Sequence, residues 1–432
     1  MQINPITRDL LTFIDHSPTS WHAAHEAKKK LQENGFTELK ESEEWNILPG
    51  QGYFTLRNGS SICAFIVPHK KPRKARILAS HTDSPCLKLK PQPEIRKHNM
   101  VLFGVEIYGA PLLSSWLNRD LGIAGRVLYY NSHNDIETQL VRIDNAPLTI
   151  PQLAIHLDRE VNEKGLILNK QEHLNALAAL LDNSWDDKEN YLDILLRQKI
   201  DYKKLLNFDL FLFPLEPAKL SGYNQQMISA YRLDNLTSLH ASLTAFLSKS
   251  DPLQEDIKLF MSWDNEEVGS NTLQGASSTF ASQILERIML SCKLGRQEYL
   301  QLLNQSLCVS IDLTHAVHPN YIEKHDPNHL ILLSKGVALK TNAQFRYASD
   351  SISSIPIHIA AEQTNLPLQK FVSRNDIPCG TTIGPIHSTL CGMPTVDIGC
   401  AQLSMHACRE LIATQDYLDL CRLLESILSS PH

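Results

Sequence analysis

Three short segments of the chain share one pattern, in which a largely apolar strand candidate runs into a histidine or an acid. These segments end at His81, at the pair Glu266-Glu267 and at Asp312. In open α/β sheets the carboxyl ends of the strands gather at one edge, where ligands bind. The pattern therefore predicts that these side chains meet at one site, although they lie far apart along the chain.

Two shorter pieces add candidate ligands at the ends of elements, namely Leu233-Asp234-Asn235 and Ser404-Met405-His406. Each candidate alone has an ordinary structural explanation, since a histidine can pack in a core and an aspartate can cap a helix. Charged groups gathered in a buried place are costly unless they are paired or bind a metal. Two histidines with three or more carboxylates form a mixed nitrogen and oxygen set that suits zinc, manganese or cobalt.

The adjacent acids Glu266 and Glu267 predict a division of roles. They follow a strand candidate and precede Gly269-Ser270, and at such a turn neighbouring side chains can reach different points of one site. One carboxylate can bind metal while the other removes a proton from bound water, whose pKa zinc lowers to about 7. Asp83 lies on the same side as His81 in an extended chain and can orient its imidazole; it is also a candidate for contact with the substrate.

Other segments leave alternatives open. His315 and His318 follow Asp312 at three-residue spacing, so spacing does not decide which of the three binds metal. The segment Gly380-Thr381-Thr382-Ile383-Gly384-Pro385 lacks the lysine of a phosphate loop, so it predicts a tight turn or backbone donors near the substrate. Nucleophilic catalysis is not indicated, since the chain has no G-x-S-x-G motif and Cys86 has no flanking pattern of a reactive thiolate.

The composition is that of an ordinary globular enzyme. The residues are 43% hydrophobic and 20% charged. The length of 432 residues predicts two domains. The formal net charge of −6 predicts no affinity for nucleic acid or anionic lipid. Nine cysteines without a C-x-x-C pair exclude the usual structural zinc sites and favour reduced thiols. The first residues form no signal-peptide core and no apolar run is long enough to cross a bilayer, so we expect a cytoplasmic protein.

The elements that position these residues follow an alternating pattern. Strands and helices are predicted in turn at Ile257–Trp263, Ser282–Cys292, Ser306–Ile311, Ile357–Gln363, Thr395–Ile398 and Ala401–Leu411. This order predicts a mostly parallel sheet covered by helices. Residues 91–229 instead mix β-rich and helical pieces with a polar loop at 183–190, which predicts a second domain inserted between two parts of the first, 1–90 and 230–432.

The chain resembles the aspartyl aminopeptidases, which are co-catalytic zinc exopeptidases of α/β fold. The matching segments occur in the family's order and are His81-Thr82-Asp83-Ser84-Pro85-Cys86-Leu87, Arg119-Asp120-Leu121, Arg232-Leu233-Asp234-Asn235, Asp264 to Ser270, His315 to Tyr321, Arg346-Tyr347-Ala348-Ser349, Arg374-Asn375-Asp376, Pro378 to Pro385 and Met405-His406 with Arg409-Glu410.

The resemblance implies specific roles at the metal centre. Asp234 would bridge two divalent ions, zinc in the first place, with manganese or cobalt as alternatives. The other metal ligands would be His81, Glu267, Asp312 and His406, and which of them serves which ion stays open.

Further roles concern the substrate and the proton. Glu266 would be the general base. His156, which without the resemblance reads as a core-facing strand histidine, would reach into the site of a neighbouring subunit and support the tetrahedral intermediate. Lys340 would pair with an acidic N-terminal side chain, with His315 and Tyr347 lining the same pocket; a surface lysine and two packed core residues are their structural alternatives.

The function that follows is hydrolysis of the N-terminal residue of peptides, with Asp or Glu preferred. The family also implies a dodecamer built from dimers, with the inserted domain at the contacts. The nearest alternative is another di-metal amide hydrolase, such as a deacylase or a carboxypeptidase, and a catalytically idle oligomeric binding scaffold is a second one.

Overall fold

The computed structural model of the protein describes residues 3–181, 190–248 and 256–429. The chain forms two compact units. The first comprises Met1–Asp83, Ala218–Met405 and Glu410–His432, and the second comprises Ser84–Pro217 with His406–Arg409. The predicted insertion 91–229 overlaps the second unit. The polar loop predicted at 183–190 lies, except for Asn190, outside the described residues.

A mixed sheet forms the centre of the first unit. Its nine described strands lie in the order Thr37–Glu38, Gly52–Arg57, Ser61–Ile66, Asp256–Trp263, Lys74–His81, Leu307–Ile311, Thr395–Gly399, Val337–Lys340 and Leu368–Phe371. The four strands from Asp256–Trp263 to Thr395–Gly399 in this order all run parallel. Asp256–Trp263 is buried along its whole length, as expected for a strand covered on both faces. The predicted α/β fold with a mostly parallel core is confirmed.

Helices cover both faces of this sheet. They span Pro5–His16, Ser20–Glu33, Leu233–Leu247, Phe280–Ser291, Arg296–Gln305, Ile355–Thr364, Ile383–Cys391 and Thr414–Ser429. Leu78 and Phe260 belong to one apolar cluster, whereas their chain neighbours Ile77 and Leu259 belong to another, because successive strand side chains point to opposite faces. The strands of the central sheet are therefore packed by apolar side chains on both faces.

A smaller sheet in the first unit contains the segment that the sequence predicted as the helix Ala401–Leu411. Its described strands lie in the order Lys219–Ser221, Met227–Ala230, Glu410–Ala413, Ala401–Leu403 and Thr314–His315. The helix prediction is wrong, because Ala401–Leu403 pairs with strands on both sides. These ladders satisfy the backbone groups that a helix would have satisfied locally.

The second unit is built on an antiparallel sheet. Its described strands lie in the order Ile136–Leu148, Leu121–Tyr130, Lys204–Pro214, Cys86–Lys97, Met100–Tyr108 and Ala176–Leu180. Two short helices, Val161–Lys164 and Tyr191–Arg197, and a 3₁₀ turn at Leu113–Trp116 accompany them. Trp116, Phe103 and Ile123 are fully buried.

Two sequence-based expectations about the whole chain can be compared with the structure. In the described ranges, no helix has both the length and the apolar character that crossing a membrane requires. All nine cysteines carry free thiols, as expected from a sequence without a C-x-x-C pair.

Candidate metal centre

Adjacent parallel strands bring the predicted residues to one edge of the central sheet. Trp263 lies opposite His81, and Ser310 lies opposite Ala79, so Asp312 follows its strand to the same level as His81. Glu266 and Glu267 come directly after the strand that ends at Trp263 and form a 3₁₀ turn with Val268. The convergence at strand ends predicted from the sequence is thus present in the first unit.

His81 is surrounded by carboxylates. Its Nε2 lies 3.5 Å from Asp234 Oδ1 and 3.6 Å from Asp312 Oδ1, and its Nδ1 lies 3.3 Å from Asp83 Oδ1. Burial lowers the pKa of His81, but hydrogen bonds that its ring donates to these three carboxylates and the charge of Glu266 raise the pKa well above its ordinary value. The groups around the imidazole therefore stabilise positive charge at this position.

Two groups of donor atoms in the first unit have the spacing that a metal ion requires. His81, Asp234 and Asp312 offer one group, and His81, Glu266 and Glu267 offer the other, each with ligand atoms within 4.8 Å of one another. So many carboxylates close together are costly to bury without compensating positive charge. Imidazole nitrogen with carboxylate oxygen is a donor set that zinc binds readily. The residues present therefore fit divalent metal.

Asp234 is fixed through its backbone at the start of the helix Leu233–Leu247. Its N–H donates to Glu410 Oε2 at 3.0 Å, and the side-chain amide of Asn235 donates to the carbonyl of Ile311 at 2.8 Å. These bonds tie the segment to the smaller sheet and to the strand that precedes Asp312. The sequence pattern assigned no role to Glu410 or Asn235, because such contacts between distant segments carry no local signal.

Asp83 acts on Glu266 and Glu267 as well as on His81. Its two carboxylate oxygens accept the backbone N–H groups of Glu266 and Glu267, each at 3.1 Å. Asp83 is also buried, which suits a role in positioning these groups, and its contact with the substrate stays a prediction. Burial, together with the charges of Glu267, Asp312 and Asp83, raises the pKa of Glu266 well above its ordinary value, although His81 opposes the shift.

Lys340 lies beside this cluster and is only 1% exposed, which excludes the alternative of a surface lysine. Its ammonium donates to the carbonyl of Leu313 at 2.7 Å and lies 3.6 Å from Asp312 Oδ2. It also lies 5.4 Å from the ring centroid of Tyr347. Burial is the main cause that raises the pKa of Tyr347, with Cys379 and Asp312 adding to it. The centre thus has a buried cation on one side.

Phe371 was missed from the sequence and joins the other residues of the predicted pocket. Its ring lies 6.4 Å from that of His315 and 6.0 Å from that of Tyr347. His315 is exposed whereas Tyr347 is buried. A phenylalanine that ends the short strand Leu368–Phe371 gives no sequence signal of such a position.

Gly380 and Thr381 are exposed and immediately precede the helix Ile383–Cys391. Thr381 donates through its hydroxyl to the carbonyl of Arg346 at 3.0 Å. The next residue, Thr382, caps the helix by accepting the N–H of Gly384. Residues 380–382 form an irregular connection that leads into the helix, and the two alternatives from the sequence, a tight turn and backbone donors near the substrate, stay predictions.

His156 and His406 both belong to the second unit. His156 is exposed within a turn, so the alternative of a core-facing strand histidine is wrong. His406 has a positive φ of 66° and does not lie on the predicted helix. Its Nδ1 lies 3.1 Å from the carbonyl oxygen of Ala110, which leaves Nε2 as the ring atom that faces away from this bond.

Comparisons with known proteins bear on the chemistry of this centre. Residues 13–427 match the model of the family described as aminopeptidase I zinc metalloprotease (M18). The chain is 39% identical over 414 residues to the probable M18 family aminopeptidase 2 of Clostridium novyi, and the match covers 95% of each chain.

Solved structures of related proteins are similar to this chain as well. A chain in the cryo-EM structure of the Ape4 and Nbr1 complex is 34% identical, with a TM-score of 0.93 over 99% of this chain and 88% of that one. The mApe1 dodecamer of S. cerevisiae is 25% identical, with a TM-score of 0.85 over 99% and 97% of the two chains. The likeness extends over both units.

Proposed function

The chain belongs to the M18 family and is a zinc-dependent aminopeptidase, and we propose that it prefers peptides with N-terminal Asp or Glu and uses Glu266 as its general base. One observation carries the proposal: the buried ammonium of Lys340 stands 3.6 Å from Asp312, directly beside the carboxylate cluster. An acidic side chain next to the scissile bond would find a compensating positive charge there.

We propose two metal ions. His81, Asp234, Glu267, Asp312 and His406 would hold them, with Asp234 shared between the ions, and the donor group of His81, Asp234 and Asp312 supports three of these five positions. Zinc is the metal named for the family, and manganese or cobalt would fit the same donors. When bound, the ions would polarise the peptide carbonyl and make water acidic enough to lose a proton near neutral pH.

Glu266 would take that proton and deliver it to the leaving amine. A base that also acts as an acid works best when its pKa lies near the working pH, and burial shifts the pKa of Glu266 in this direction. Asp83 accepts the N–H of Glu266 at 3.1 Å, which fixes the backbone of the base. The neighbouring Glu267 is then left to bind metal.

The preference for acidic residues would come from Lys340, with His315 and Tyr347 as further walls of the pocket. An ammonium has three donor hydrogens, and the carbonyl of Leu313 takes one of them. A substrate carboxylate can accept from the others. Gly380 and Thr381 would offer backbone donors to the peptide.

We further propose a dodecamer built from dimers that works in the cytoplasm. The related mApe1 of S. cerevisiae is a dodecamer. In this chain the turn that carries His156 also exposes Ile155 and Leu157, 45% and 75% of their surface, which suits a contact with another copy. His156 would reach a neighbouring active site from this turn and stabilise the tetrahedral intermediate.

The decisive experiment is a profile of N-terminal residue specificity, measured with and without chelator. We expect peptides with N-terminal Asp or Glu to be cleaved fastest and acetylated peptides to resist. Equal cleavage of free and acetylated N-termini would favour a deacylase-like or carboxypeptidase-like reaction. A flat profile among free N-termini would remove the acidic preference but leave the aminopeptidase.

A further inference from the structure

Residues 264–278, called here the acidic loop, connect the strand Asp256–Trp263 to the helix Phe280–Ser291 and carry both Glu266 and Glu267. The side chains of adjacent residues on a short turn point in fixed directions only if the backbone of the turn is held in place. The proposed base and the proposed metal ligand need different directions. The contacts of Asn265, the residue just before them, account for how the loop is held.

Asn265 adopts a left-handed backbone conformation, with φ 64° and ψ 26°. Asparagine is among the few residues that adopt this region at low cost. Its N–H donates to Asp264 Oδ1 at 2.8 Å, and its carbonyl accepts the N–H of Ser270 at 2.8 Å. The chain therefore reverses at Asn265, and the next residue, Glu266, leaves the direction of the strand.

The side chain of Asn265 closes the loop from the other end. Its Oδ1 accepts a hydrogen bond from the Thr272 hydroxyl at 2.8 Å and a second from the Gln274 amide at 2.7 Å. The backbone carbonyl of Gln274 in turn accepts the hydroxyl of Ser61 at 2.7 Å, and the same Ser61 oxygen accepts the N–H of Asp264 at 2.8 Å. Both ends of the acidic loop are thus tied to one point of the sheet.

We propose that Asn265 is a positioning residue, whose amide oxygen, held by Thr272 and Gln274, aims the carboxylate of Glu266 at the reacting water. Asp83 fixes the N–H groups of the two glutamates from one side, and Asn265 fixes the preceding peptide from the other. Misplacing a reacting group by about 1 Å can cost on the order of 100-fold in rate. The inference rests on the proposed role of Glu266 as base.

The test removes one donor to Asn265 without touching the centre. Thr272→Val keeps the side-chain shape and deletes the hydroxyl, and Thr272→Ser keeps the hydroxyl. Thr279→Val is the matched control, since Thr279 ends the same connection and its side chain caps nothing. We expect Thr272→Val to lower kcat about tenfold with KM within twofold, while zinc content and Tm match the control. Thr272→Ser should restore kcat.

A double-mutant cycle separates aiming of the base from general loosening of the loop. In the Glu266→Gln background, Thr272→Val should cause no further loss of the residual rate, because the group that it misplaces no longer accepts a proton. A tenfold loss in both backgrounds, or a kcat of Thr272→Val within twofold of wild type, would overturn the inference.

The same data separate this inference from the function on which it rests. A wild-type kcat in Glu266→Gln would overturn the proposed base, and the positioning role with it. An inactive Glu266→Gln beside a fully active Thr272→Val would overturn the positioning role alone.

Discussion

Replacing Lys340 by methionine should remove the charge from the proposed specificity pocket while keeping most of the buried stem. The ammonium donates to the carbonyl of Leu313 at 2.7 Å and lies 3.6 Å from Asp312 Oδ2. A substrate carboxylate would therefore meet an ammonium that the protein already holds in place. We expect Lys340→Met to reduce the cleavage of peptides with N-terminal Asp or Glu much more than that of neutral peptides.

The magnitude follows from the burial of Lys340, which is 1% exposed. A hydrogen bond to a charged group contributes about 1.5–3 kcal/mol, and each 1.4 kcal/mol corresponds to about a factor of ten. The ratio of kcat/KM for acidic over neutral N-terminal residues should therefore fall roughly 10- to 150-fold. The Leu313 carbonyl also loses its donor, which costs about 1–3 kcal/mol of stability, so Tm should fall by a few degrees.

The assay compares peptides that differ only in an N-terminal Asp or Asn. These residues have nearly the same shape, so their ratio isolates the charge. Lys335→Met is the matched control, because Lys335 is exposed just before the strand Val337–Lys340. It removes an equal charge from the surface and should leave the ratio unchanged.

The reasoning is refuted if Lys340→Met binds zinc normally and its Asp to Asn ratio stays within threefold of the wild-type ratio. Equal losses on both peptides would point instead to damage at Asp312, whose carboxylate Lys340 contacts. In that case Lys340 would support the metal centre and select no substrate.

Three further predictions concern the base, the metal and the stability. Glu266→Gln should keep zinc and lose about 10²–10⁴ in kcat, whereas Glu267→Ala should lose zinc as well; a normal kcat in Glu266→Gln would exclude it as base. Chelation should abolish turnover and added zinc should restore it, and full activity in metal-free protein would contradict the zinc chemistry. Tm should fall as the pH drops from about 7 to 5. Burial lowers the pKa of His240 in the folded protein despite its hydrogen bond to Asp9. The unfolded chain therefore takes up the proton first, near pH 6.5, and protonation favours unfolding. His240→Gln should flatten this pH dependence in melting curves, and an unchanged slope would show that another group causes it.

The part of the site that stands on the central sheet could be predicted from the sequence. The strands that end near His81 and Asp312 are short, apolar and followed at once by a polar residue. Parallel strands are adjacent at about 4.8 Å, so residues at the same level must come close together. His81 and Asp312 satisfy this expectation at 3.6 Å.

The segment around His406 could not be predicted in this way. Ala401 to Leu411 carries apolar residues at spacings that fit one face of a helix, and a window of this length does not exclude short strands. The segment forms strands because it pairs with other strands: Gln402 lies opposite Ile412 across an antiparallel ladder. That ladder is a tertiary contact, which the periodicity of the segment does not contain.

Supporting contacts were missed for a related reason. The carboxylate of Asp83 was expected to face the ring of His81, and it does so at 3.3 Å. Its bonds to two N–H groups more than 180 residues away depend on how the acidic loop folds back. Phe371 and Glu410 likewise have their positions set by strand order, which no local pattern gives.

This contrast explains which parts of the centre need special support. His81 and Asp312 end neighbouring strands, so the spacing of the sheet itself sets the distance between their donor atoms. Asp234 does not end a strand of that sheet, and its position depends on Glu410 Oε2, which accepts its N–H at 3.0 Å. Glu266 and Glu267 depend in the same way on Asp83 and Asn265. Asp234, Glu266 and Glu267, which do not end strands of the central sheet, therefore each donate a backbone N–H to a carboxylate side chain, and loss of that partner should disturb the centre while leaving the core of the fold intact.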